Sequence, residues 1–405
     1  MNKLWKILSA MLVTAIVTAM FALPAFAADY ADDDKATGGT TTFQKYFVVK
    51  KDVEFPSVEF TYTIGTGAAI GPAAGKMEVF AGVDADKVTV GTADFTTTPA
   101  QADVYDSVQT NDILTLGADE KYAKKTVTID FSAVKFAEPG VYRYTLQENP
   151  CANPAINCDS TVYSVDVYVI DTNGKLSVAA YTIHTGTDAP DSTAGTTATA
   201  VTGKIDGIVN KYPTAGLYVG KVVAGNQGSR DKYFKITVSL TGLVPGSVLT
   251  VDLANADPAS GTNTATAEAY RNLTNATSLT ANNSGEISQN FYIQNGQYIA
   301  IYGITSGAEY IVTEDYEDYE SVDSKTTPFT ISSKTFNGDK EGTFGTEDIY
   351  TGFTNTRNGV IPTGVLMAIG PVVVIGIIVV GGIVFLAVRN TKRKASEVAE
   401  DEADS

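Results

Sequence analysis

Between its two termini this chain reads as an all-β protein built as two tandem β-sandwich domains, and three observations predict that class. Segments such as 58–64, 141–146, 162–170 and 234–240 alternate apolar with polar residues, the period of half-buried strands. The intervening sequence is rich in Thr, Val, Tyr and Gly, with turn residues at short intervals. No helical periodicity is sustained anywhere between the termini. The length suits two domains of ordinary size, with boundaries placed at residues 28–212 and 213–357.

The flanking segments are of another kind. Lys3 and Lys6 precede an apolar run from Ile7 to Phe21, then Pro24 and Ala25-Phe26-Ala27, which predicts a signal peptide over residues 1–27. At the far end, Val365 to Val388 is nearly all apolar and long enough to cross a bilayer, followed by Arg389, Lys392, Arg393 and Lys394. Positive charge past the span assigns that end to the cytoplasm and everything before it to the outside. A net charge of -17 argues against partnership with nucleic acid.

The scarce residues exclude much chemistry. His184 is the one histidine, and the one tryptophan, Trp5, lies in the predicted signal peptide. His184 closes a strand-like run and is expected to be a solvated surface residue, so zinc sites and histidine-based triads are not expected, nor is any metal or cofactor. Cys151 and Cys158 flank a short segment of an exported chain, and a local disulfide is the natural expectation.

A three-part pattern occurs twice. Phe47 to Val53, containing Lys51, corresponds to Leu217 to Val223, containing Lys221. Tyr144 to Glu148 corresponds to Tyr310 to Glu314. Each half then closes with an apolar residue two before an asparagine, Ile208 before Asn210 and Phe353 before Asn355. Strand parity places Lys51, Glu148 and Asn210, and likewise Lys221, Glu314 and Asn355, on the same faces as their apolar neighbours. Each domain is therefore expected to enclose a lysine, a glutamate and an asparagine. Burial drives a lysine toward its nucleophilic neutral amine and a glutamate toward its proton-relaying acid, while the asparagine amide is an electrophile. Together these groups can form a Lys-Asn isopeptide bond and release ammonia.

These residues resemble the Gram-positive pilin backbone proteins of the streptococcal T-antigen type. The matching pieces are the Lys51 strand, Glu138-Pro139-Gly140-Val141-Tyr142-Arg143-Tyr144 leading into Glu148, Tyr310 to Tyr316, and Phe353-Thr354-Asn355. The resemblance implies immunoglobulin-like domains, each closed by a self-catalysed bond: Lys51 to Asn210 promoted by Glu148, and Lys221 to Asn355 promoted by Glu314. It also gives a meaning to Ile361-Pro362-Thr363-Gly364 just ahead of the span, within a sorting segment of residues 358–405. A pilin-polymerising sortase would cut between Thr363 and Gly364 and pass the Thr363 carbonyl to an amine of an identical subunit. Lys204 is the expected acceptor, with Lys175 and Lys211 as the alternatives. The expectation is thus a non-enzymatic shaft subunit, held in the membrane as a precursor and then attached to the cell wall, with tip and base pilins as further partners. A wall-anchored monomeric adhesin with the same domains is the alternative.

Overall fold

The computed structural model describes residues 30–96, 104–110, 112–191, 203–254 and 278–359. The expected signal peptide, the residues Ile361, Pro362, Thr363 and Gly364, and the apolar span with its tail lie outside the described residues. Among the described residues no helix is long and apolar enough to cross a membrane.

The described chain is all-β apart from one short 3-10 turn at Ala85–Lys87. Its first unit is carried by β1 (Thr40–Lys50), β2 (Tyr62–Thr66), β3 (Glu120–Asp130), β4 (Gly140–Glu148), β5 (Val162–Thr172), β6 (Lys175–His184) and β7 (Gly207–Lys211). One sheet runs β6-β5-β4-β2 and the other β7-β1-β3. The alternation seen in the sequence becomes the packing. Phe43, Phe47 and Val49 of β1, with Val127 and Ile129 of β3, face Tyr142, Tyr144 and Leu146 of β4 and Val165 and Val167 of β5 in a single core. Antiparallel pairing dominates, but β7 lies parallel to β1, with Asn210 opposite Phe47 and Ile208 opposite Lys45. Gly207 permits this approach, because a Cβ there would stand against the Tyr46 ring and 2.6 Å from the Gln44 carbonyl oxygen.

The second unit repeats the plan with β8 (Thr214–Ala224), β9 (Phe234–Thr241), β10 (Val248–Ala254), β11 (Ile287–Ile293), β12 (Tyr298–Thr305), β13 (Glu309–Asp315), β14 (Glu320–Asp323) and β15 (Ile349–Thr356). One sheet contains β10-β12-β8-β15-β14 in that order, and the other contains β11-β9-β13. A separate core joins Leu217 and Val219 of β8 to Ile236, Val238 and Leu240 of β9 and Tyr310 and Val312 of β13. Here too the first and last long strands pair in parallel, β8 beside β15, with Lys221 opposite Phe353 and Val223 opposite Asn355. Only Tyr212 and Pro213 separate β7 from β8. Across that junction Lys50 is paired with Asp348 at 2.9 Å, and Asp348 also accepts the Gly216 N–H at 2.8 Å.

One expectation fails in the first unit. His184 is fully buried, with Nε2 3.0 Å from Asp166 Oδ2, and Asp166 is in turn gripped by Arg143 at 2.7 Å and 2.8 Å. These three side chains lie on the outer face of β4, β5 and β6, the face away from the main core. The segment after β6 folds back over them, and the Thr187 and Asp188 carbonyls accept from the Arg143 guanidinium at 2.7 Å and 3.0 Å. Met77, Val79, Tyr168 and Ala189 close the same layer as a small apolar cluster. A strand end that reads as solvated is therefore covered by its own continuation.

Burial works against the charged form of Asp166, yet hydrogen bonds from Arg143 and His184 outweigh it and hold the carboxyl below its ordinary range. Its contribution to stability is accordingly present near neutrality and lost as acid protonates it. Removing that carboxylate leaves a guanidinium buried without its partner. Asp166→Asn should therefore destabilise the first unit by about 3–5 kcal/mol, read by tyrosine fluorescence as an earlier denaturation transition, with the second unit's transition unmoved.

Candidate functional sites: two buried amine, carboxyl and amide clusters

Each unit encloses a lysine, a glutamate and an asparagine at the seam between its two parallel strands. In the first unit the lysine is Lys45, not Lys51. Lys45, Glu148 and Asn210 are all buried; the Lys45 amine contacts Glu148 Oε2, and the Asn210 amide nitrogen donates to Glu148 Oε1. Lys51 lies outside the site because β1 ends at Lys50. It sits in the following turn, exposed, with Nζ 2.8 Å from the Ala118 carbonyl oxygen. The parity argument holds along β1, since Lys45 shares a face with Phe43, Phe47 and Val49. Lys51 has the same phase but lies one residue past the strand's end. The signal for Lys45 was its position inside the apolar alternation, whereas Lys51 is followed by Asp52 at a turn.

In the second unit the predicted set is brought together as expected. Lys221 Nζ stands 2.6 Å from Glu314 Oε1, the Asn355 amide nitrogen donates to the same oxygen at 3.1 Å, and Ser321 Oγ donates to Glu314 Oε2 at 2.8 Å. With Lys45 in place of Lys51 the two sites share one geometry. In each the lysine stands opposite the residue two before the asparagine, and the asparagine opposite the residue two after the lysine.

An aromatic ring backs both amines. Lys45 Nζ is 4.4 Å from the Phe60 ring centroid, and Lys221 Nζ is 4.4 Å from that of Phe234. Desolvation lowers both lysines to about 8, against the partial restoring pull of Glu148 or Glu314. At that value a minority of each amine, far more than for a solvated lysine, is neutral and nucleophilic near physiological pH. The carboxylate touches both the amine that would attack and the amide nitrogen that would leave. Such an arrangement can join Nζ to the asparagine Cγ, with the carboxylate carrying the proton from one nitrogen to the other.

Cys151 and Cys158 are bonded to each other, which removes both thiolates from any metal ligation. The bridge lies beside the first site, with Cys151 Sγ 3.9 Å from Glu148 Oε1 and 3.8 Å from Asn210 Nδ2. Lys204 is exposed even though it shares the phase of Ile208 and Asn210. The strand does not run regularly through it: residue 204 bridges His184 at the edge of one sheet, and β7 starts only at Gly207 in the other. Neighbouring groups still desolvate the Lys204 amine enough to lower its pKa. Lys175 and Lys211 are also exposed, the latter paired with Glu120 at 2.9 Å.

Fold and sites together define a tandem β-domain protein in which each unit pairs an early and a late strand in parallel around a buried lysine, glutamate and asparagine. Residues 49–199 match the Spy0128-like isopeptide containing domain family, and residues 215–357 match a domain family of unknown function, DUF7601. The first match stops short of both Lys45 and Asn210, which are placed by the geometry alone. A pilin of Streptococcus pyogenes serotype M1 is 26% identical over 272 residues, covering 64% of this chain and 71% of that protein. The chain is thus similar to a streptococcal pilin, and its first unit to an isopeptide-containing domain. Among solved structures, the major pilin of S. pyogenes aligns at 20% identity and a TM-score of 0.45 over 80% of this chain and 100% of its own. The T3.2 major pilin of serotype GAS13637 aligns at 19% identity and 0.43 over 79% and 99%.

With both cysteines in one bridge, thiol titration of the unfolded, unreduced protein should find no free thiol. Two free thiols would contradict the pairing.

Proposed function

We propose that this chain is the backbone subunit of a sortase-assembled pilus, and that each of its immunoglobulin-like domains closes itself with one isopeptide bond, Lys45 to Asn210 and Lys221 to Asn355. The observation that carries this reading is the repetition of one register at two sites: an amine and an amide, held on adjacent parallel strands, share a single buried carboxylate. In each domain the neutral lysine attacks the asparagine Cγ. The carboxylate of Glu148 or Glu314 takes a proton from Nζ and delivers one to Nδ2, and ammonia leaves. The product is a structural protein that reacts once with itself.

The bond ties the first long strand to the last, so nearly the whole domain lies within the closed loop. By the chain-entropy model used for disulfides, closure of that length contributes roughly 5 kcal/mol per domain. The sorting segment would hold the precursor in the membrane until a pilin-polymerising sortase cuts after Thr363, and Lys204 of the next subunit would accept the new bond. Its exposure, at a break in strand phase, supports that role.

Intact mass of the unaltered chain should be lower by two molecules of ammonia, apart from the disulfide hydrogens. Lys45→Ala, Glu148→Ala or Asn210→Ala should restore one of them, and Lys51→Ala should restore none. An uncross-linked mass for the unaltered chain sinks the proposal. The rate of closure should rise as pH climbs through about 8, where each amine loses its proton, and then level off. A rate independent of pH between 6 and 10 would contradict attack by the free amine, since roughly those limits bracket the titration.

Digestion of polymer stripped from the cell surface should yield a branched peptide joining Thr363 to Lys204. A branch at Lys175 or Lys211 rejects the acceptor while sparing the shaft assignment. A surface protein without a ladder of high-mass species would be a monomeric stalk.

A further inference from the structure

The two sites differ at the atom where negative charge would develop. When Nζ attacks an asparagine Cγ, the amide oxygen becomes an oxyanion, and a fixed N–H aimed at it lowers the barrier. In the first domain Asn210 Oδ1 accepts the backbone N–H of Asp159 at 3.2 Å. In the second, Asn355 Oδ1 is buried with no hydrogen-bond partner among the described residues.

The donor is held by the disulfide loop. Asp159 directly follows Cys158, and Asn157 donates its N–H to the Lys211 carbonyl at 2.8 Å, one residue beyond Asn210. On the other side, Asp159 Oδ1 accepts the Thr161 N–H at 2.9 Å, and Asp159 Oδ2 accepts from the Tyr163 hydroxyl. The peptide that presents the N–H is thus fastened at both ends, and the Cys151–Cys158 bond tethers its leading side to the strand end that carries Glu148. We infer that the Asp159 N–H is the oxyanion donor for bond formation in the first domain, and that the disulfide is a positioning element which makes closure of this domain, but not of the second, depend on an oxidising environment.

The step balances without any outside reagent. Nζ bonds to Cγ, the oxyanion on Oδ1 is held by the Asp159 N–H and collapses to the new amide carbonyl, and Nδ2 leaves as ammonia with the proton passed through Glu148. The disulfide is not consumed. A chain still in a reducing compartment would carry a slow first site, and export would make it fast.

This inference rests on the isopeptide reading, and the second site serves as its internal control. The full chain is made by cell-free synthesis in oxidising and in reducing buffer, sampled over time and digested, and the branched peptides Lys45–Asn210 and Lys221–Asn355 are quantified in the same samples. Asp159→Pro removes the N–H, whereas Asp159→Asn keeps it along with side-chain acceptors for Thr161 and Tyr163. The expected result for Asp159→Pro is a slowing of Lys45–Asn210 formation of roughly 100-fold or more, with Lys221–Asn355 unchanged. Asp159→Asn should close at the unaltered rate. Reducing buffer, or Cys151→Ser with Cys158→Ser, should slow only the first bond, lowering the plateau of its pH profile while leaving the midpoint in place. Unchanged closure of the first domain in reducing buffer overturns the role of the disulfide, and unchanged closure of Asp159→Pro overturns the donor. Absence of both branched peptides from the unaltered chain instead overturns the isopeptide reading, and this inference with it.

Discussion

A lysine amine sealed into the seam between two parallel strands is the constraint on which the rest of this structure depends. Lys45 and Lys221 are each wholly excluded from solvent, a placement an ammonium tolerates only with a partner at hand. Glu148 and Glu314 supply that partner, and Phe60 and Phe234 wall off the water that would otherwise compete. The unreacted domain therefore carries a buried ion pair whose desolvation opposes the attraction within it. Converting amine and amide into one neutral secondary amide would remove that charge from the interior. Burial thus both activates the nucleophile and favours the product.

Parallel pairing gives the chemistry a mechanical meaning. With subunits joined from Thr363 to Lys204, tension would load β7 of the first domain directly, drawing it along β1, and would enter the second domain at β8 and leave at β15, pulling that pair in opposite directions. Hydrogen bonds alone would share that shear along the ladder. The proposed covalent link at the seam would let force cross between first and last strands without unravelling the strands between. The glycines at the seam serve the same end. Gly207 admits β7 against β1, and a Cβ on Gly352 would run into the Gly220 backbone it pairs with, so side chains at these points would push the reacting strands apart.

The alternation of apolar and polar residues was enough to read the all-β class, and strand parity located Glu148, Asn210, Lys221, Glu314 and Asn355. Parity fixes a face but not where a strand stops. Lys51 and Lys45 have the same phase, and only the turn beginning at Lys51 separates them. His184 was misread for a related reason. It belongs to a buried polar group with Asp166 and Arg143 that residues 186–189 cover by folding back over β4 and β5, a covering to which a period-two pattern is blind. A phase break ahead of Gly207, where β7 begins, accounts for an exposed Lys204 in register with a buried Asn210.

The carboxylates themselves distinguish the sites. Glu148 divides its oxygens, one to the Lys45 amine and the other to the Asn210 amide nitrogen. A proton can then arrive on one oxygen while another departs from its neighbour, with no rotation of the side chain. Glu314 turns a single oxygen to both Lys221 and Asn355, while Ser321 engages the other. In the proposed reaction the same oxygen would take a proton there and give it up in succession. In the proposed reaction the first site would couple a two-oxygen relay to the Asp159 N–H, while among the described residues the second offers no donor to Asn355 Oδ1 and pins its carboxylate with a hydroxyl from β14. One register, repeated in tandem, would thus move the same proton in two different ways.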